Sequence, residues 1–267
     1  MPTLKEAVSV IEELAPPGLA AEWDNSGLQV GEPASVVKRV LVALDPTAAV
    51  MAEAKALSCE LLVTHHPLFF RAAKSLDLSR GQGAVVHEAV KNGIAVYSAH
   101  TSLDRIPGGV SEALAGPLGL KVPCVIRQAE GWPAGYGFGR VGYLPQEMKL
   151  SALADRLKSM LGVERVRVVG DPDMAVKRLA LCGGSGSDLM EEAFYAGADA
   201  FVTGDLKYHE ALHAGELGLA VLDVGHFQSE RPVVAHLAGL LAEAFAGRGW
   251  DVEVRTSQGE REPWSWL

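Results

Sequence analysis

Two adjacent histidines, His65 and His66, stand with Pro67 at the end of the apolar run Leu61-Leu62-Val63-Thr64. Two further histidines are each followed four residues on by an acid, His100 by Asp104 and His226 by Glu230, and each pair follows another short apolar run, Ala95–Ala99 or Ala220–Val224. Imidazole and carboxylate are ligands for divalent transition metals. With no Cys in any cluster, zinc, iron, manganese and nickel are all compatible. Neighbouring residues of an extended strand point to opposite sides, so His65 and His66 serve two metals more readily than one. Glu230 follows Ser229, a good N-cap, and precedes Pro232, which is tolerated in a first turn. Glu230 is therefore expected at a helix N-terminus, where the dipole favours the ionised carboxylate. Such a group can bridge two cations about 3.5–4 Å apart. A lone His at a strand end is usually structural, but three clusters at equivalent places point to a two-metal centre.

Other groups carry weaker signals. Gly183-Gly184-Ser185-Gly186 joins an apolar run to a helical one, and its backbone N–H groups could cradle a phosphate. It lacks the lysine of a Walker loop, and a tight strand-to-helix turn is the alternative. Trp23-Asp24-Asn25-Ser26-Gly27 has the composition of a turn. Asp205 and His209, in the second half's counterpart of the His65-His66 end, are candidates for supporting or acid–base roles. No Gly-x-Ser-x-Gly elbow is present, and no Cys has a paired His at a useful spacing. Water activated by metal is then the expected nucleophile of a hydrolase built on these residues. His100 and His209 are the candidates for proton transfer, since imidazole titrates near neutrality. The alternative for both is to support the ligands by hydrogen bonds.

These residues need a scaffold, and the chain alternates short β-rich runs with helical ones. Strands are expected at Arg39–Leu44, Glu60–Thr64, Ala95–Ala99, Arg178–Cys182, Ala200–Thr203 and Ala220–Val224. Helices are expected at Ala48–Leu57, Gly83–Asn92, Asp188–Ala196 and His209–Leu217, after an opening helix capped by Thr3 with Glu6. Strands that are apolar throughout indicate buried, mostly parallel sheets covered by helices, an α/β fold. The histidine clusters lie just beyond the carboxyl ends of these strands, where open α/β sheets place their ligands. A shift of 139 residues aligns 37–66 on 176–205 without gaps, with 8 identities in 30 positions. A repeat of that length indicates two duplicated three-layer lobes, 1–125 and 126–267. The turn-rich stretch Gly131–Gly139 is either part of the seam or an inter-strand loop.

The chain has 267 residues, a net charge of −9, 48% hydrophobic and 21% charged residues. The acidic balance argues against nucleic acid as a partner. Neither a signal-type apolar run nor the ~18 apolar residues of a membrane span is present. Cys59, Cys124 and Cys182 are scattered, as expected of reduced thiols in a cytoplasmic protein.

The segments Trp23–Gly31, Val63–Pro67, Ser98–Asp104, Gly183–Gly186, Thr203–Glu210 and Asp223–Glu230 together resemble the Nif-three-like dinuclear metal-centre proteins. Members of that family are often labelled GTP cyclohydrolase I type 2 homologues. The resemblance implies two α/β lobes with a di-metal site in the cleft between them, and His65, His66, Asp104, His226 and Glu230 as ligands of two divalent ions. It also implies a ring-shaped homohexamer. The label implies attack of metal-activated water on C8 of the GTP purine, with release of formate and formation of dihydroneopterin triphosphate. A two-metal phosphoester hydrolase and a non-enzymatic metal-binding or regulatory ring are the alternative readings.

Overall fold

Thr3 and Glu6 cap the first helix reciprocally: the Thr3 N–H donates to the Glu6 carboxylate at 2.7 Å and the Glu6 N–H to Thr3 Oγ1 at 3.3 Å. This helix, α1 (Leu4–Leu14), opens a computed structural model that describes residues 1–265. The strands are β1 (Gly27–Val30), β2 (Arg39–Ala43), β3 (Leu61–Thr64), β4 (Ala95–Ser98), β5 (Lys121–Gln128), β6 (Gly137–Lys149), β7 (Arg167–Val169), β8 (Ala175–Ser185), β9 (Ala200–Gly204), β10 (Ala220–Asp223) and β11 (Glu253–Thr256). The remaining helices are α2 (Ala48–Ala56), α3 (Gly81–Asn92), α4 (Thr101–Arg105), α5 (Val110–Ala115), α6 (Leu150–Leu161), α7 (Met190–Tyr195), α8 (Tyr208–Leu217), α9 (His226–Glu230) and α10 (Pro232–Gly247). All six expected strands and all five expected helices, α1 included, are present. Among the described residues no helix is long and apolar enough to cross a membrane.

Two compact units result, and each has its own sheet. The first comprises Met1–Leu103 and the chain from Val234 onward. Its strand order is β1-β4-β3-β2-β11, parallel except where β1 meets β4. Every residue of β3 and β4 is buried, so both faces of these strands are covered, as expected of runs that do not alternate. One face, with Leu41, Ala43, Leu62 and Val96, clusters with Val50, Met51 and Ala54 of α2 and Val85 and Ala89 of α3.

The second unit, Asp104–Val233, has strand order β5-β6-β8-β9-β10-β7. Only β8, β9 and β10 are mutually parallel; β5, β6 and β7 extend this core antiparallel. Leu179, Leu181, Val202 and Leu222 face α5 and α6, while Ala180, Phe201 and Val221 face α7 and α8, which gives three layers.

The units do not follow the expected division at 125/126. Residues beyond Val233 were expected in the second lobe, yet β11 pairs with β2. Beyond it, the Glu260 carboxylate accepts the N–H groups of Leu44 and Asp45 at 2.6 and 2.9 Å. Glu53 accepts those of Gln258 and Gly259. The expected second lobe also ended at 267, and its last two residues lie outside the described ones. In turn α5 and β5 belong with the second sheet. The turn-rich stretch at 131–139 is the inter-strand alternative: it connects β5 to β6 and enters the latter.

The order strand–helix–strand–helix–strand is the same from β2 to β4 and from β8 to β10, and small details recur at the shift of 139. The Glu60 carboxylate accepts the N–H groups of Lys38 and Arg39, and Asp199 accepts those of Lys177 and Arg178. Ser58 and Gly197 both turn the chain at positive φ, 52° and 77°. Both recurrences are consistent with the duplicated halves expected from sequence.

Candidate metal centre

In the first unit three imidazoles gather at the carboxyl ends of β3 and β4. The β ladder continues past β3, with the His65 and His66 N–H groups donating to the carbonyls of Ala43 and Leu44. Ser98 Oγ donates to the His65 carbonyl at 2.9 Å and Thr64 Oγ1 to that of His66 at 2.7 Å. Ring centroids of His65 and His66 are 5.0 Å apart, and those of His100 lie 5.2 and 5.6 Å from them. One nitrogen from each of the three falls within 4.8 Å of the others.

What orients these rings is as informative as their proximity. Nδ1 of buried His65 lies 3.0 Å from the Ala99 carbonyl, Nδ1 of His66 lies 2.8 Å from Asp45 Oδ1, and Nδ1 of His100 lies 2.8 Å from Asp24 Oδ1. Oxygens of this kind only accept, so each Nδ1 carries the proton. The neutral tautomer then has its lone pair on Nε2, the arrangement found around metal-bound histidine.

Asp24 is the most elaborately held of the supporting groups. Its side chain is fully buried and accepts from His100 Nδ1, from the N–H and hydroxyl of Thr101 at 3.0 and 2.5 Å, and from Ser26 Oγ at 2.7 Å. Burial raises its pKa, but the hydrogen bonds from His100, Thr101 and Ser26 outweigh it and hold the carboxyl well below the usual range. Since the folded pKa is depressed, this stabilisation is fully present above the ordinary Asp value near 4 and is lost as pH falls through the folded value. Asp24→Asn is expected to lower metal affinity roughly 10- to 100-fold, as loss of a ligand-orienting carboxylate does, and to flatten stability against pH below about 4. Equilibrium metal titration and acid unfolding check both effects; unchanged affinity would remove Asp24 from the site.

In the second unit His226 and Glu230 meet across one turn of α9, Nε2 to Oε2, at 3.1 Å. His226 Nδ1 lies 2.8 Å from Oδ2 of Asp205, which closes β9 with φ of 56°, a conformation rare outside glycine and concentrated at functional sites. Asp205, a candidate from sequence for a supporting or acid–base role, thus lies against the His226 ring. Asp223, buried at the end of β10, accepts the N–H groups of Leu206 and Gly225 and pairs with Arg167, which fixes both loops flanking His226.

Two expectations are corrected here. Glu230 closes α9 rather than opening a helix, and Ser229 is not a cap: its hydroxyl donates to the His226 carbonyl at 2.8 Å and accepts the Gly184 N–H at 2.9 Å. The Glu230 carboxylate faces the neighbouring His226 ring. The glycine run is not a phosphate cradle. Gly183, Gly184 and Ser185 lie within bulged β8; the Gly184 N–H is taken by Ser229 and that of Gly186 by Thr203 Oγ1. Glycine is required because α9 sits against it. A Cβ on Gly184, whose φ is +66°, would overlap Glu230 Oε1, and one on Gly183 would come 3.3 Å from Glu230 Cγ and 2.6 Å from Val110.

Asp104 is half-buried on α4 and belongs to neither of the tight groups found among the described residues. His209 is exposed in the first turn of α8, which follows the carboxyl end of β9. His100, a candidate from sequence for proton transfer or for supporting the ligands, stands with His65 and His66 in a group that could hold a metal ion. Asp24 and Asp45 were not singled out from sequence as partners of histidine. Each comes from a distant segment, and the acid–amide–glycine run around Asp24 reads from sequence as a turn.

The donor set fits divalent transition metal: imidazoles oriented through Nδ1 by oxygen acceptors and a buried carboxylate, without thiolate. The model of the family Duf34/NIF3 (NGG1p interacting factor 3) matches residues 2–263. A Streptomyces coelicolor protein named GTP cyclohydrolase 1 type 2 homolog is 39% identical over 99% of this chain and 94% of its own. A Clostridium perfringens protein of the same name is 36% identical over 99% of both. The crystal structure of a Bacillus cereus protein related to NIF3 superimposes with a TM-score of 0.94 at 27% identity, covering 100% of this chain and 99% of that one. The chain belongs to the Duf34/NIF3 family.

Proposed function

We propose that this protein is a dinuclear metal-dependent hydrolase that opens the purine ring of GTP. Its ligands are His65, His66, Asp104, His226 and Glu230, with His100 added to that set. The observation that carries the reading is the shared state of four histidines, each of which gives Nδ1 to an oxygen acceptor: Ala99, Asp45, Asp24 or Asp205. A structural histidine needs no common tautomer, whereas a metal ligand does. Two bound divalent ions, drawn from zinc, iron, manganese and nickel, would supply activation of water and stabilisation of developing negative charge. The chain's own groups do the rest. Asp24, Asp45 and Asp205 hold the proton on Nδ1 and stop the rings from turning. Exposed His209 exchanges protons with solvent, and the shared name of the relatives supports the choice of GTP. Assembly as a cytoplasmic homohexameric ring belongs to the same reading.

The test is incubation of metal-reconstituted protein with GTP and identification of products by mass. Formate with a pterin precursor, absent from metal-stripped protein and at least 10²-fold slower in His209→Asn, is the expected result. Free phosphate would favour a phosphoester hydrolase. A protein that loads metal but releases no product from any nucleotide would favour a regulatory ring.

A further inference from the structure

Beside the three imidazoles of the first unit lies an aromatic surface that the ligand set does not use. Trp23 is 61% exposed and Phe70 50% exposed, although rings of this size gain most from burial. The two rings are together, with centroids 5.7 Å apart, and both stand against His100, at 5.8 and 6.1 Å and close to perpendicular. They come from separate segments, one ahead of β1 and one beyond β3, and hydrogen bonds lock those segments to each other. Asn25 Nδ2 donates to the Phe69 carbonyl at 2.7 Å and to Gln29 Oε1 at 3.1 Å. Gln29 Nε2 donates to the Asn25 carbonyl at 2.8 Å. Asp24, next to Trp23, is bound in turn to His100 and Thr101. The rings are thus held at a set distance from the imidazoles before any ligand arrives.

A phosphate gains little from such a surface, whereas a flat heterocycle stacks on it. Stacking of one base on an aromatic side chain changes affinity roughly 5- to 150-fold. We infer that Trp23 and Phe70 form a stacking wall for a planar, nucleobase-sized nitrogen heterocycle and hold it beside His65, His66 and His100. The inference rests on the hydrolase reading and narrows its substrate: the wall selects the ring, and the metal ligands do not. It also gives the run from Trp23 to Gln29 one purpose. Trp23 supplies the surface, Asp24 orients His100, and Asn25 with Gln29 fixes the segment bearing Phe70.

The test is calorimetric titration of the metal-reconstituted full chain with guanosine, GTP and inorganic triphosphate, with metal content and sedimentation measured on the same samples. Trp23→Ala and Phe70→Ala are each expected to weaken guanosine and GTP roughly 5- to 150-fold. Inorganic triphosphate affinity and metal content should stay unchanged, and Trp23→Phe should restore most of the ring affinity. Both residues are exposed, so the folded state should survive. Guanosine affinity that is unchanged in both alanine variants would overturn the wall. So would variants that alter only the mass in solution, which would make the surface a contact between copies. Wild-type protein that takes up no metal, yet binds guanosine through Trp23, would sink the hydrolase reading and leave the wall standing.

Discussion

Replacing Glu230 by glutamine is expected to weaken metal binding by more than the roughly 100-fold that loss of an orienting group costs, and to lower turnover at least in proportion. Glu230 is buried and its carboxylate faces His226 Nε2 at 3.1 Å. Its chain lies on the glycines of β8, where no other residue type leaves it room. Glutamine keeps that shape and removes the charge, so the effect belongs to the ligand role and not to packing. Gly184→Ala should act on the same group from beneath: its Cβ overlaps the carboxylate and its φ of +66° strains any L side chain. Metal titration with a thermal melt on each variant separates loss of ligand from loss of fold. Unaltered affinity in Glu230→Gln would mean that the carboxylate does not bind metal.

The second large effect concerns stability. Arg140 is 1% exposed and spends its guanidinium on Glu112 at 2.7 Å and on the carbonyls of Ile106, Gly135, Gly137 and Gly139 at 2.8–3.1 Å. Glu112 also accepts the N–H groups of Gly108 and Gly109, so one ion pair ties the entry to α5 to strand β6. Arg140→Met leaves a carboxylate and four carbonyls to find new partners. It is expected to destabilise the second unit by about 3–5 kcal/mol, or roughly 6–20 °C in Tm. Denaturant unfolding checks this. A change below about 0.5 kcal/mol would show that methionine packing replaces the polar network.

Much of the scaffold was legible because its signals are local. The apolar runs of β3 and β4 are buried on both faces, and the capping box of α1 needs only residues three apart. What escaped is long-range or disguised. Strand β6 carries Gly137, Gly139 and Gly142, a composition that reads as linker. The glycine at 137 is there because a Cβ would strike the Arg127 carbonyl of β5. Strand β11 and Glu260 return to β2 from the far end of the chain, a pairing no periodicity announces. At the site, histidines next to acids in sequence stood out, but their orienting partners lie elsewhere. Asp45 reaches His66 from the end of β2, and Asp24 reaches His100 from a segment ahead of β1. The glycine run after Cys182 was legible as special and misread in purpose. Its glycines make room for a carboxylate, while a phosphate cradle would need N–H groups that Ser229 and Thr203 already occupy.

The central claim is that these residues hold two metal ions, and elemental analysis of the purified full chain after anaerobic reconstitution tests it most directly. The expected result is about two divalent transition-metal ions per subunit. Variants His65→Ala and Glu230→Gln should each fall well below that value, while the half-buried control His213→Ala should not. One ion or none in the wild type, or two retained in both site variants, would contradict a dinuclear centre built on this ligand set.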